Sequence, residues 1–192
     1  MKNFQIPFEE RLIPLDQPQT RSEILKYSPS AKVPVLIDGN LTIWESLAIA
    51  EYLHEKYPEK QMWPRDREQR AIARAISSEM HSGFQKMREL MSHDLHKELK
   101  DFDYSAAAED VHRVCQIWRR CLDRSGGPFL FGAFSVADAM FAPVANRFVS
   151  YGVRCDRDVE AYIKTNRALP AHQQWIDDAM RETLRVPRYE SQ

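Results

Sequence analysis

Lys32-Val33-Pro34-Val35-Leu36-Ile37-Asp38-Gly39-Asn40-Leu41-Thr42-Ile43-Trp44-Glu45-Ser46 is the stretch from which the rest of the chain takes its meaning. Residues 33–37 form a largely β-branched apolar run. Asp38-Gly39-Asn40 is a turn signal and Leu41-Thr42-Ile43 a return strand, so the segment predicts a β-hairpin. Past it the apolar period lengthens. Ser46, Ile49, Ala50, Leu53 and Tyr57 fall on one face, which predicts an amphipathic helix over 45–57, ended at Pro58.

Two details of the hairpin carry chemistry. Pro34 donates no N–H, and a paired strand normally excludes proline. A cis Val33–Pro34 bond would turn the N–H and C=O of Val33 outward, towards an extended peptide ligand. An ordinary trans proline at the start of a strand is the alternative. Glu45-Ser46 stands where the helix begins. The first turn of a helix has unpaired N–H groups and a partial positive charge that hold a carboxylate, and a serine hydroxyl adds a donor. Glu45 would receive an ammonium. The same pair also serves plain helix capping and dipole compensation.

Working outward, residues 8–15 (FEERLIPL) half-alternate and predict an edge strand, with Pro14 limiting its pairing. Residues 20–27 predict a short helix that ends before Ser28-Pro29. Residues 58–65, with two prolines and Trp63, read as a linker. Beyond it the periods are helical. Ile72, Ala75, Ile76, Met80, Gly83, Met87 and Met91 mark one long helix. Val111, Val114, Cys115, Trp118 and Leu122 mark a second, stopped by Ser125-Gly126-Gly127-Pro128. A third starts at Ser135, a fourth spans 156–165, and the last carries Leu169, His172, Ile176, Ala179 and Met180. The fold class expected is α/β plus all-α: a small α/β domain over 1–58, then a helical domain over 66–192.

The 192 residues are 43% apolar, enough for a core, and the formal charge is −1. No basic surplus calls for nucleic acid or an anionic membrane. No apolar run approaches the roughly 20 residues of a membrane span. MKNFQIPFEE lacks the layout of a signal peptide, so a cytoplasmic location is expected. The three cysteines, Cys115, Cys121 and Cys155, read as reduced thiols. Cys115 reads as a small hydrophobe in its stripe, and Cys155 as a loop thiol flanked by Arg154 and Arg157. His93 and His96 are three apart, but no third metal ligand accompanies them, so no metal site is expected.

With both hairpin motifs in hand, the chain resembles the glutathione transferase family, as a bacterial-type cytosolic member. Gly132-Ala133-Phe134-Ser135-Val136-Ala137-Asp138 resembles that family's capping motif in the core helix of its second domain. There Ser135 caps the backbone near Asp138, while Asp138 reaches back to the N–H of Ser135. Pro143 lies in the same helix and should bend it. The resemblance implies a thioredoxin-like first domain that binds glutathione and an all-helical second domain. Val33 would hold the cysteinyl backbone of glutathione, with Pro34 fixing its orientation. Glu45 and Ser46 would bind the γ-glutamyl amine and carboxylate. Lys32 would face the glycyl carboxylate or solvent. Met80, His81 and Phe84 would line the pocket for the second substrate, although Met80 also belongs to the core stripe and His81 also suits solvent.

The activity so implied is conjugation of glutathione to a small electrophile in detoxification, or its use in isomerisation or reduction. Glutathione would be a co-substrate, with no cofactor, and the protein a homodimer. A non-catalytic binding protein of the same fold is the alternative. The family's opening strand, and the loop bearing its catalytic Ser, Tyr or Cys, have no counterpart here. Residues 1–8 resemble the end of the first helix and the strand after it. Ser22, Ser28 and Ser30 stand in the wrong place in the motif order, so no catalytic residue is assigned. A chain recorded from a late start codon is the expected reason, and a protein that truly lacks the segment is the alternative.

Overall fold

The computed structural model describes residues 1–184 and 186. They divide into two units, one built on Met1–Met62 and the other on Trp63–Glu182.

In the first unit, α1 (Thr20–Leu25) precedes the strands β1 (Val35–Asp38) and β2 (Leu41–Trp44), and α2 (Ser46–Lys56) follows. The strands are antiparallel, with Val35 opposite Trp44 and Asp38 opposite Leu41, so Gly39-Asn40 is a two-residue turn. Asp38 anchors α2 to this turn. The Tyr52 hydroxyl donates to Asp38 Oδ2 at 2.6 Å, and Lys56 forms an ion pair with the same oxygen. The lysine, then the phenol, hold the Asp38 carboxyl below its ordinary value. Residues 8–15 form no strand among the described residues, which corrects the expected edge strand. No partner ladder runs beside them, and Phe8 and Leu12 stay 40% and 64% exposed, so nothing rewards the extended pairing.

The second unit is helical, with α3 (Arg67–Ser82), α4 (Gln85–Leu90), α5 (Ala108–Ser125), α6 (Val136–Ser150), α7 (Arg157–Arg167) and α8 (Pro170–Arg181). The single long helix expected across Ile72 to Met91 is two. Gly83 has extended backbone and Phe84 a left-handed one at φ 60°, and together they end one helix and start another. Arg88 ties the break together by donating to the carbonyls of Gly83 and Met80. The other predicted helices all form. Trp118, fully buried on α5, packs its ring on Phe141, Phe148 and Tyr162 at centroid distances of 5.7, 5.2 and 5.1 Å. That aromatic cluster is the centre of the helical core. Trp63, in the segment read as a linker, is 2% exposed and lies in this unit, with the Arg74 guanidinium over its ring.

The start of α6 has the predicted capping box. Asp138 Oδ2 accepts from the Ser135 N–H at 2.8 Å, and Oδ1 accepts from the Leu130 N–H at 3.1 Å. Burial pushes the Asp138 carboxyl up, against the pull of those N–H groups. No helix among the described residues is long and apolar enough to cross a membrane.

Candidate functional site

The hairpin register brings the first unit's motif residues together. With Val35 opposite Trp44, the residues before β1 and those after β2 emerge at the same end of the ladder. Val33-Pro34 therefore stands beside Glu45-Ser46. The Val33–Pro34 peptide bond is cis. The approach to it is a tight turn: the Ala31 N–H donates to the Ser28 carbonyl, and the Lys32 N–H to Ser30 Oγ, both at 3.2 Å. Ser28 is fully buried beneath the turn and within 3.0 Å of the Ser30 hydroxyl. Val33 is 48% exposed, and its backbone N–H and C=O meet no partner among the described residues. Lys32 and Pro34 are exposed beside it.

Glu45 has φ 82° and ψ 125°, a backbone that a non-glycine residue rarely adopts. Such conformations cost on the order of 1–3 kcal/mol and cluster at ligand sites. The first bond of α2 runs from the Ile49 N–H to the Glu45 carbonyl at 2.9 Å. The N–H groups of Ser46, Leu47 and Ala48 therefore lie outside the helix's own bonding. Glu45 is exposed and Ser46 half-buried. Chemically, this end of the hairpin offers an open backbone edge, a carboxylate, a hydroxyl and a helix start with donor capacity. An extended molecule carrying a peptide group, an ammonium and a carboxylate matches all four. Sequence reasoning named these residues but not the backbone of Glu45, since nothing in a glutamate signals positive φ.

The other candidates are in the helical unit. Met80 and Phe84 are 4% and 7% exposed, at the end of α3 and at the break, while His81 is exposed. A groove of about 520 Å³ in the same unit is lined by residues such as Phe148, Val153, Ile163, Lys164 and Arg167, and by none of those three. His93 stacks on Trp175 at 5.1 Å, and His96 Nδ1 is 3.5 Å from Asp94 Oδ1. No group of three or more His, Cys, Asp or Glu set to hold a metal occurs among the described residues.

Sequence reasoning missed a polar network buried among α6, α7 and α8. Asn146 Oδ1 lies 3.1 Å from both His172 Nε2 and Arg167 Nε, and His172 Nδ1 is 3.0 Å from Asn166 Oδ1. Asn166 Nδ2 donates onward to the Asp138 carbonyl at 3.1 Å. The available signal was Asn146 itself, an amide in an otherwise apolar helix face. The network links the three helices where they meet.

Two family models match the chain: glutathione S-transferase, N-terminal domain, over residues 2–61, and glutathione S-transferase, C-terminal domain, over residues 100–178. A probable maleylacetoacetate isomerase of Caenorhabditis elegans is 30% identical over 167 residues, which is 84% of this chain and 75% of the nematode protein. Glutathione S-transferase Z1 of Arabidopsis thaliana is 43% identical over 67 residues, covering 35% of this chain and 30% of the plant protein. Among solved structures, a glutathione transferase homolog from Burkholderia with bound glutathione matches at a TM-score of 0.72 and 29% identity. That match covers 94% of this chain and 88% of the other.

Proposed function

The chain belongs to the glutathione S-transferase family, and from that membership we propose that the open end of its hairpin is a glutathione site. The N–H and C=O of Val33 pair with the cysteinyl backbone of the tripeptide, in the manner of one added strand residue. Pro34 fixes the direction in which they point. Ser46 and the first-turn N–H groups of α2 take the γ-glutamyl carboxylate, and Glu45 takes the γ-glutamyl ammonium. Lys32 faces the glycyl carboxylate. The observation that carries this reading is the pairing of Val35 with Trp44, which sets the unpaired edge of Val33 beside the start of α2.

The function is glutathione transferase-like. The reaction is attack of the glutathione thiolate on a small electrophile, or a glutathione-dependent isomerisation or reduction. The thiolate is the reactive form, and donors around the sulfur raise its population. Met80, His81 and Phe84 are assigned to the second substrate's wall. His81 is the member with an exposed side chain, and Met80 and Phe84 support it from the core. A cytoplasmic homodimer acting in detoxification completes the proposal.

The test is retention of the purified chain on immobilised glutathione, with elution by free glutathione, followed by turnover of a general electrophile. Retention with turnover is the expected result. Retention without turnover would limit the protein to binding. Loss of retention would overturn the site.

A further inference from the structure

A second piece of chemistry lies in the helical unit, far along the chain from the hairpin. Cys115 on α5 and Cys155 in the loop before α7 are 40 residues apart in sequence, yet their sulfurs are 3.5 Å apart. Both side chains are half-buried, open enough for a small reagent to reach them. This corrects the sequence reading of Cys115 as a core hydrophobe. The inward position on α5 belongs to Cys121, which is 6% exposed and whose thiol burial pushes up to about 11.

The contact between the thiols is held from the side. Arg119, one turn along α5 from Cys115, forms an ion pair with Asp156, the residue after Cys155. The Cys155 loop is thus fastened to α5 by a charge pair next to the thiol pair. The two thiols are also unlike. The hydrogen bond shared with Cys155, and then the Arg119 charge, hold the Cys115 thiol below its ordinary value. Cys155 is raised, first by that same hydrogen bond and then by burial, with Glu160 and Asp156 adding negative charge. One sulfur is set up as the attacking thiolate and its neighbour as the group that follows.

We propose that Cys115 and Cys155 are a redox-active dithiol that closes to an intramolecular disulfide on reaction with hydroperoxides. The Cys115 thiolate attacks one peroxide oxygen, the O–O bond breaks, and the departing hydroxide takes a proton to leave as water. Cys115 is then a sulfenic acid. The Cys155 sulfur attacks the Cys115 sulfur, the S–OH bond breaks, and a second water leaves with the Cys155 proton. In sum, two thiols give two electrons and two protons to one hydrogen peroxide, forming one S–S bond and two waters. The sulfurs need only close from 3.5 Å to about 2 Å, a movement within reach of small side-chain rotations. A thiol reductant reopens the bond by exchange.

The experiment treats the purified, reduced chain with equimolar hydrogen peroxide, then reads intact mass and the cysteine-containing peptides. The expected product is a monomer lighter by two hydrogen atoms, with Cys115 linked to Cys155, Cys121 still a thiol, and the original mass restored by dithiothreitol. Cys121→Ser gives the same closure, whereas Cys115→Ser gives no intramolecular link. Three results would overturn the proposal: addition of oxygen atoms to the wild-type chain without a disulfide, a link that includes Cys121, or disulfide-joined dimers as the main product. The wild-type readout decides the matter even where a serine variant folds poorly. Glutathione retention takes no part in it, so failure here leaves the hairpin site untouched, and the reverse.

Discussion

Val35 sits opposite Trp44 in the hairpin ladder, and Val33 and Glu45, just beyond that pair, leave it at the same end. Eleven residues of chain lie between Val33 and Glu45, but the two-residue turn at Gly39-Asn40 folds that distance away. A slip of one residue would send every side chain of one strand to the other face and part the two motifs. Asp38 opposes such a slip, because Tyr52 and Lys56 of α2 both bind its carboxylate. The same helix whose first turn belongs to the proposed site thereby fixes the hairpin beside it.

Ser135→Ala should lower stability by about 0.5–2 kcal/mol, the usual loss for a helix cap. Ser135 is 3% exposed and its hydroxyl lies 2.9 Å from Asp138 Oδ2, so the variant also takes a partner from a buried carboxyl. Urea unfolding followed by circular dichroism measures the change. A midpoint equal to wild type would show that the cap contributes nothing.

Gly152→Ala should cost at least about 2 kcal/mol, because it combines left-handed backbone with a steric clash. Gly152 has φ 63°, and an added Cβ would lie 2.8 Å from the carbonyl oxygens of both Leu99 and Lys100. Those are backbone atoms, held by the bond from the Leu99 N–H to the Ser150 carbonyl at 2.7 Å. Thermal unfolding should show a clearly lower midpoint. Gly39→Ala, where an added Cβ meets nothing within 4 Å, bears only the backbone part and should melt higher than Gly152→Ala.

Stability should fall as pH drops from 6.5 towards 4, with His93 a main contributor. Burial, then the charges of Arg147 and His172, lower the His93 ring from 6.5 to about 4 in the folded chain. Between those values the unfolded chain binds the extra proton and the folded one does not, so acid favours unfolding. The contribution is present above the unfolded value and gone below the folded one, and amounts to at most about 3 kcal/mol. His93→Phe keeps a ring against Trp175 and removes the titration. Its stability should decline less across this window than that of wild type, and parallel curves would rule the histidine out.

The sequence made much of this visible, for identifiable reasons. The hairpin, α2 and the cap at Ser135 were legible because each depends on neighbours in the chain: a turn dipeptide, an apolar period, a serine three residues before an aspartate. The break at Gly83-Phe84 was hidden because the apolar stripe runs on through it, and Met80, Phe84, Met87 and Met91 are all buried on either side. The strand expected at 8–15 failed for the opposite reason, since local alternation has no force without a partner strand. Val33 and Glu45 were found by motif, but the strained backbone of Glu45 leaves no mark in the residue type. The contacts of Cys115 with Cys155, and of Asn146 with His172, join distant parts of the chain, and no spacing rule reaches across them.

One end of the hairpin is the proposed glutathione site, and calorimetric titration of glutathione into wild type and a Glu45→Ala, Ser46→Ala double variant tests this most directly. Charge-assisted hydrogen bonds of about 1.5–3 kcal/mol are removed, so affinity should fall at least about 10-fold. Both positions are at the surface end of α2, outside the buried core, and the variant should keep its fold by circular dichroism. Saturable binding by wild type with that loss in the folded variant is the predicted result. Equal affinity in the two proteins, or no binding by wild type, would contradict the assignment.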